Sequence, residues 1–375
     1  MKPTSVICTV GTSLKNSFKD EINNKPLNKK IQKSILSKLT KLSLDDRRCG
    51  AEINSINSML QKGYIKDPSA IYFLVSDTKD GQFFGDLVRI FLSSKFKNAE
   101  CLKVEGLIDT DFKKFKNHGL KSLVKSISNL VRKEKALGRD IVINSTGGFK
   151  AQISFAGLIG QVLHVPVYYQ FEAFNEVIEL PPMPVFFDYH LWLKYFGLFD
   201  ELEKELQIEE DKSYMPLDQR IYPLLDIEEI DGKEYWAISP MGQLFYEGFI
   251  EDFAITVKNF LPPEIPLNEK WKKPNFEDEN EGRHKGLKEY LYAILELPYV
   301  KGIYTHYFNP ALSRANRFRK SSKGKINQIE GWYTFREALT KFDIITTATT
   351  EEQRQAVLFD LTRRFIKKRK GENLL

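Results

Sequence analysis

Apolar residues in the first half of the chain fall in short unbroken runs, each closed by small polar residues and followed by a stretch with helical spacing. Residues 5–10, Ser-Val-Ile-Cys-Thr-Val, predict a buried strand that stops at Gly11-Thr12-Ser13-Leu14 before a polar, helix-compatible segment. The pattern returns at residues 71–75, which end at Ser76-Asp77-Thr78, and at 140–143, which end at Asn144-Ser145-Thr146-Gly147-Gly148. A helical run follows at 149–156, and 165–171 predict a further strand. Strands alternating with helices predict a doubly wound, Rossmann-like parallel sheet, and near-continuous apolar strands are what a sheet covered on both faces requires.

The pattern changes after about residue 190. Helical stretches near His190–Tyr195 and Gln219–Leu225 precede two strand-like runs joined by Asp231-Gly232, a hairpin turn signal. Ser239-Pro240 then opens a helix, with Ser239 as N-cap and Pro240 at the first helical position. Residues 191–260 thus read as a winged-helix-like connector, and the Pro-rich, charged residues 261–280 as a linker or extended lead-in. In 281–375 the order predicted is an amphipathic helix, a basic turn from Ser313 to Lys325, strands at 325–330, 331–336 and 342–347, and a last helix capped by Thr350. That order predicts a small α+β domain.

Charge sharpens this division. Residues 281–375 hold 19 Lys and Arg against 10 Asp and Glu, a net +9, so the remainder carries −3 of the total of +6. An excess of that kind at one end points to a polyanionic partner there. The 191–260 segment is instead acidic, which disfavours DNA contact because DNA affinity rests on Lys and Arg neutralising phosphates. Three scattered cysteines, Cys8, Cys49 and Cys101, match neither a disulfide framework nor a metal-ligand spacing and predict a reducing cytoplasm. No apolar stretch reaches the ~18 residues of a membrane span, and no signal peptide is recognisable.

In parallel sheets, ligands bind beyond the carboxyl ends of the strands. Gly11, Gly147 and Gly148 there would let backbone N–H groups approach phosphates, Thr12, Ser13, Ser145 and Thr146 offer hydroxyls, and Lys150 adds a positive charge. The same segments carry a family resemblance. Val10-Gly11-Thr12-Ser13-Leu14, Gly50-Ala51-Glu52-Ile53-Asn54-Ser55 and Asn144-Ser145-Thr146-Gly147-Gly148-Phe149-Lys150 are similar to the signature segments of CARF domains, over roughly residues 1–190. The resemblance implies a homodimer of a type III CRISPR ancillary effector. Its twofold pocket would take a cyclic oligoadenylate, cyclic tetra-adenylate by preference, between copies of Gly11–Leu14, Ser76, Asp77, Asn144–Gly148 and Lys150. A sensor that slowly cleaves its own ring ligand is a further option, with Thr12, Ser13 or Lys150 aiding in-line attack.

Three catalytic domains accompany CARF domains most often. A HEPN ribonuclease needs Arg followed four to six residues later by His, and no such pair occurs among the five histidines. A PD-(D/E)XK nuclease needs a divalent metal and an acid two residues before Lys, a spacing that residues 281–375 lack. The element order and charge resemble a RelE-like ribonuclease, which implies attack of a ribose 2′-OH on the adjacent phosphate without a metal or other cofactor. Candidates for that chemistry are Arg319, Lys320 and Arg336 for transition-state charge, Tyr333 for stacking or proton transfer, and His284 with Lys285 for acid–base work. Arg314, Arg317, Lys323 and Lys325 form the expected phosphate-contacting apron for RNA, with ribosome-bound mRNA as one option for the substrate. The rivals are a metal-dependent PD-(D/E)XK-like nuclease and a ligand-responsive winged-helix transcription regulator.

Overall fold

The computed structural model describes residues 2–22, 26–171, 173–183, 188–253, 257–277, 285–321 and 324–366. The chain divides into two compact units: Met1–Phe187 with Leu217–Gly248, and Asp188–Pro216 with Phe249–Leu375.

The first unit is built on a six-stranded sheet of β1 (Thr4–Thr9), β2 (Pro68–Ser76), β3 (Asn98–Val104), β4 (Asp140–Asn144), β5 (Val167–Tyr169) and β6 (Ile178–Leu180). Its strand order is β3-β2-β1-β4-β5-β6. The first five strands run parallel, and β6 pairs antiparallel with β5. Side chains alternate across the sheet. Val6 and Cys8 of β1 enter a core with helices Lys29–Leu39, Ala51–Gln61 and Lys79–Leu92, whereas Ile7 joins the opposite core with helices Leu120–Ala136 and Lys150–Val162. The α/β class expected from the sequence is therefore present, and the chain reverses its direction of progress across the sheet between β1 and β4. That switch point is where a crevice opens in such sheets. Burial raises the thiol pKa of Cys8 well above its ordinary value, with Glu52 adding to the effect, and burial pushes Cys49 and Cys101 up to about 11.

The stretch expected to form one connector is split between the units. Residues 217–248 stay with the first unit. Asp231 and Gly232, both at positive φ, turn the Leu225–Ile230 and Lys233–Ile238 hairpin, and Ser239 Oγ caps the Pro240–Gly248 helix at Gly242 N, 3.0 Å. Leu244 of that helix enters the second core of the sheet, and Arg132 reaches Glu247 at 2.7 Å. Lys116 meets Asp226 at 2.9 Å and Lys113 meets Glu228 at 3.7 Å, so basic residues of the first unit partly balance the acidic hairpin. Residues 188–216 instead belong to the second unit, because Trp192, Phe196 and Phe199 pack with Phe249 and Phe359 in one aromatic core.

The second unit carries an antiparallel sheet of β7 (Val300–Asn309), β8 (Arg317–Lys320), β9 (Gln328–Phe335) and β10 (Ala338–Thr346), in the order β7-β10-β9-β8. Three expectations change here. The basic run holds a strand, β8, rather than only a turn; the segments read as two strands at 325–336 form one; and β7 was not foreseen. The residues read as a linker or extended lead-in lie along β7, with Trp271 N bonded to Lys301 O and Asn275 N to Ile303 O, both at 2.8 Å. Prolines cost that segment little, because only alternate backbone groups are needed at the strand edge. Thr350 caps the Glu351–Phe365 helix as expected, accepting from Gln353 N at 3.2 Å. Among the described residues no helix is long and apolar enough to cross a membrane.

Candidate functional site

The loops that leave β1 and β4 meet at the switch point and close one side of a cavity of about 570 Å³. Of the residues expected to bind ligand, Gly11, Thr12, Ser13, Thr146, Gly147, Gly148 and Lys150 line it. The other predicted ligand residues do not. Leu14 is a core side chain because the loop turns it under the sheet. Asn144 and Ser145 are buried, and Asn144 serves as a strut, donating to Ser55 Oγ at 2.8 Å and accepting from Thr146 Oγ1 at 2.6 Å. Ser76 is bound to Thr78 Oγ1 at 2.8 Å, and Asp77 holds Gly106 N at 3.2 Å and Lys103 at 3.1 Å. The Gly106 N–H bond, then Lys103, lowers the Asp77 pKa. Ser76 ends β2 and Asp77 follows it, one strand away from the switch point.

Glu52 explains how the cavity wall is held. It is 1% exposed, sits in the first turn of the Ala51–Gln61 helix, and accepts from Gly11 N at 2.7 Å and Ser13 Oγ at 2.8 Å. A Cβ on Gly147 would lie 2.1 Å from Glu52 Oε1, and one on Gly11 would lie 2.7 Å from Gly148 N. The glycines thus let two loops and a carboxylate pack against each other, and Gly11 N–H already has its acceptor. Their expected role as direct phosphate donors gives way, at Gly11, to a role in wall construction. Thr9 Oγ1 adds a bond to Gly147 O at 2.6 Å.

The rest of the lining was not read from the sequence as a binding surface. Arg47 and Lys150 are exposed cations on the cavity wall, and Tyr169, Gln170, Phe171 and Phe174 line its far side. Phe171 and Phe174 are 47% and 53% exposed and meet edge to face at 5.4 Å. Exposed aromatics beside cations offer ring faces to bases and charge to phosphates. The signal available was the aromatic cluster Tyr168-Tyr169-Gln170-Phe171 at the end of a strand whose carboxyl neighbours carry the glycines.

In the second unit the predicted catalytic residues do not converge. Tyr333 packs on the helical side of the sheet, 4.9 Å from the Tyr290 ring, and donates to Lys285 O at 2.8 Å; burial raises its pKa. Lys285 ends there, just before the Leu287–Leu295 helix. Lys320 is paired with Glu351 at 3.1 Å and stands over the Tyr214 ring at 3.8 Å, and burial lowers its pKa. Arg336 sits exposed in the β9–β10 turn at φ 56°. Arg319 lies on the opposite face from Tyr333, bound to Glu330 at 2.7 Å. His284 and Lys323 lie outside the described residues. Of the predicted RNA apron, Arg314 and Arg317 line a second cavity of about 420 Å³ with Arg319 and Trp332, while Lys325 is exposed elsewhere. Arg317 is held by Glu201 at 3.1 Å, so that cation is already engaged. Among the described residues no group of three His, Cys, Asp or Glu side chains is arranged to hold a metal ion.

Parallel strands with a crevice of glycine loops, cations and exposed aromatics at their switch point define a doubly wound α/β module. A family described as CRISPR-associated protein (Cas_APE2256) matches residues 47–183, which include Glu52 and the β4 loop. The chain is also similar, at 10% identity, to the crystal structure of protein VC1899 from Vibrio cholerae, with 92% of this chain and 77% of that one covered and a TM-score of 0.25. A second solved structure, Can2 from Sulfobacillus thermosulfidooxidans in complex with cyclic tetra-adenylate, is 10% identical, with coverage of 68% and 65% and a TM-score of 0.23.

Proposed function

We propose that this protein is a CARF-type CRISPR ancillary effector: a homodimer in which a cyclic oligoadenylate binds the switch-point cavities and turns on a metal-independent, RelE-like endoribonuclease in the second unit. The observation that carries the reading is the cavity itself. It brings the β1 and β4 loops that resemble CARF signatures together with Arg47, Lys150 and an aromatic wall, and the CRISPR-associated family match runs through it. Phosphates suit the cations and adenines suit Phe171 and Phe174. A ring with rotational symmetry suits two copies of one wall. Ligand activates only in so far as it binds the active arrangement more tightly than the resting one. The setting is the cytoplasm, and residues 217–248 act as a brace on the sensor rather than as a DNA reader, since the hairpin is acidic.

Incubating the purified chain with RNA, with and without cyclic tetra-adenylate and EDTA, tests this. Ligand-dependent cleavage that persists in EDTA is the expected result. Cleavage abolished by EDTA would transfer the second unit to metal-dependent chemistry of the PD-(D/E)XK kind. A salt-sensitive shift of promoter DNA with no RNA cleavage would make the protein a regulator instead.

A further inference from the structure

The face of the β7–β10 sheet turned away from its helices is polar. Two neighbouring rows cross it in register: Tyr304, Asp343, Glu330 and Arg319, then Tyr307, Lys341, Trp332 and Arg317. A bulge in β7 between Thr305 and Tyr307 leaves His306 between the two rows. The intervening row, with Phe318 and Phe342, faces the helices, where both rings approach Tyr290 or Phe365. A sheet this small has little reason to keep one face polar for stability, since buried polar groups cost free energy unless fully satisfied.

This face is not fully satisfied. Glu330 and Asp343 are 3% and 1% exposed. Glu330 Oε1 accepts from Arg319 Nε and Trp332 Nε1, each at 2.7 Å, and Asp343 accepts from Tyr304 OH at 2.8 Å and Ser321 Oγ at 3.3 Å. His306 Nε2 points between them, 4.0 Å from Glu330 Oε2 and 3.9 Å from Asp343 Oδ2, and is buried without a hydrogen-bond partner. Gln328, 6% exposed, donates to Tyr304 OH at 3.4 Å but leaves its Oε1 unpartnered. The His306 side chain nevertheless keeps 22% of its surface open. Lys341 Nζ stands 4.8 Å from both the Tyr307 and Trp332 rings and has no carboxylate partner among the described residues. Arg319 and Trp332 also line the 420 Å³ cavity, which places that cavity beside Glu330.

We propose that this face is the RNA-cleaving site of the second unit, with His306 as its proton-transferring catalytic residue. The proposal rests on the ribonuclease reading above and supplies the site that Tyr333, Lys320 and Arg336 do not form. The imidazole takes the proton of a ribose 2′-hydroxyl as the 2′-oxygen bonds to the adjacent phosphorus. It returns a proton to the 5′-oxygen as the phosphorus–5′-oxygen bond breaks. The products are a 2′,3′-cyclic phosphate and a 5′-hydroxyl, with no net gain or loss of protons or electrons. Arg319 and Lys341 supply charge to the phosphorane, and Tyr307, 37% exposed, supplies a ring face to a flanking base. Glu330 and Asp343 are positioning residues: their carboxylates, 4.0 and 3.9 Å from Nε2, stabilise the positive charge the ring acquires.

The test is activated RNA cleavage by the full chain with cyclic tetra-adenylate, with thermal melting of each variant to check folding. His306→Gln is expected to lower kcat by about 10²–10³-fold, the usual worth of acid–base catalysis, with KM for RNA within about twofold. Glu330→Gln should lower kcat with KM unchanged, and Glu330→Asp should recover part of it. Lys341→Met should raise KM. A His306→Gln chain that melts normally and cleaves within about threefold of wild type overturns the assignment. If wild type cleaves no RNA with any ring, the proposed function falls and so does the proton-transfer step. The face is then judged by fluorescence anisotropy with a 2′-O-methyl RNA: weaker binding by Arg319→Ala and Lys341→Met sustains it as an RNA surface, and unchanged binding removes it.

Discussion

Under the proposed function, replacing Glu52 with alanine is expected to weaken binding of cyclic tetra-adenylate by about a hundredfold, measured by calorimetric titration, although no contact between Glu52 and the ligand is invoked. The carboxylate is buried and accepts from Gly11 N and Ser13 Oγ, so its loss strands two donors from one loop and opens the space against which Gly147 packs. Hydrogen bonds to a charged group contribute roughly 1.5–3 kcal/mol each, and about 2.7 kcal/mol corresponds to a hundredfold in affinity. Glu52→Gln keeps the shape and one acceptor oxygen, so its loss should be nearer tenfold. Gly147→Ala should resemble Glu52→Ala, because the added carbon falls on the same carboxylate oxygen. Wild-type affinity in all three would mean that the ligand does not depend on this wall. Cleavage measured at saturating ligand should be restored in Glu52→Gln, which separates a binding defect from a damaged second unit.

The first unit was legible because its strands are apolar on both faces and end in glycine and hydroxyl residues, a signal that survives without any tertiary information. β3 was not legible for the opposite reason. It lies at the edge of the sheet, and its residues from Asn98 to Lys103 are only partly buried or exposed, so no apolar run marks it. In the site, glycines were visible but their purpose was not: a glycine that admits a phosphate and a glycine that admits a buried carboxylate read the same in sequence. Glu52 stood in a segment noted for its family resemblance, yet a lone acid in a helical first turn reads as a response to the helix dipole. The second unit misled for another reason. Basic residues were weighed by number, whereas the fold spends Lys320 on Glu351 and Arg317 on Glu201. The residues that face one another there, Tyr304, His306, Glu330 and Asp343, come from three strands, and one of those strands, β7, went unread. Their adjacency is a matter of register, which a single sequence does not display.

The largest loss of stability is expected from Glu134→Ala in the first unit. Glu134 lies on the Leu120–Ala136 helix with none of its surface exposed, yet it is charged and serves three elements. Ser5 of β1 and Tyr72 of β2 donate to it, Tyr72 at 2.7 Å, and Arg139 before β4 pairs with it at 3.0 Å. Burial alone would raise its pKa, but the bonds from Ser5, Tyr72 and Arg139 outweigh burial and hold it below the usual value of 4.5. Removing one partner of a buried charged network costs about 3–5 kcal/mol, because Arg139 and two hydroxyls are left behind. For a unit of this size about 3 kcal/mol lowers the melting temperature by roughly 6–12 °C. The sign of the pH dependence follows from the depressed pKa. The folded state prefers the carboxylate, so this contribution is complete above the unfolded value and is lost as pH falls through the folded one. The gap in melting temperature between wild type and Glu134→Ala should therefore be full at pH 7 and narrow below about pH 4.5. A gap that stays constant down to pH 3 would mean that Glu134 stabilises the sheet by packing rather than by its charge.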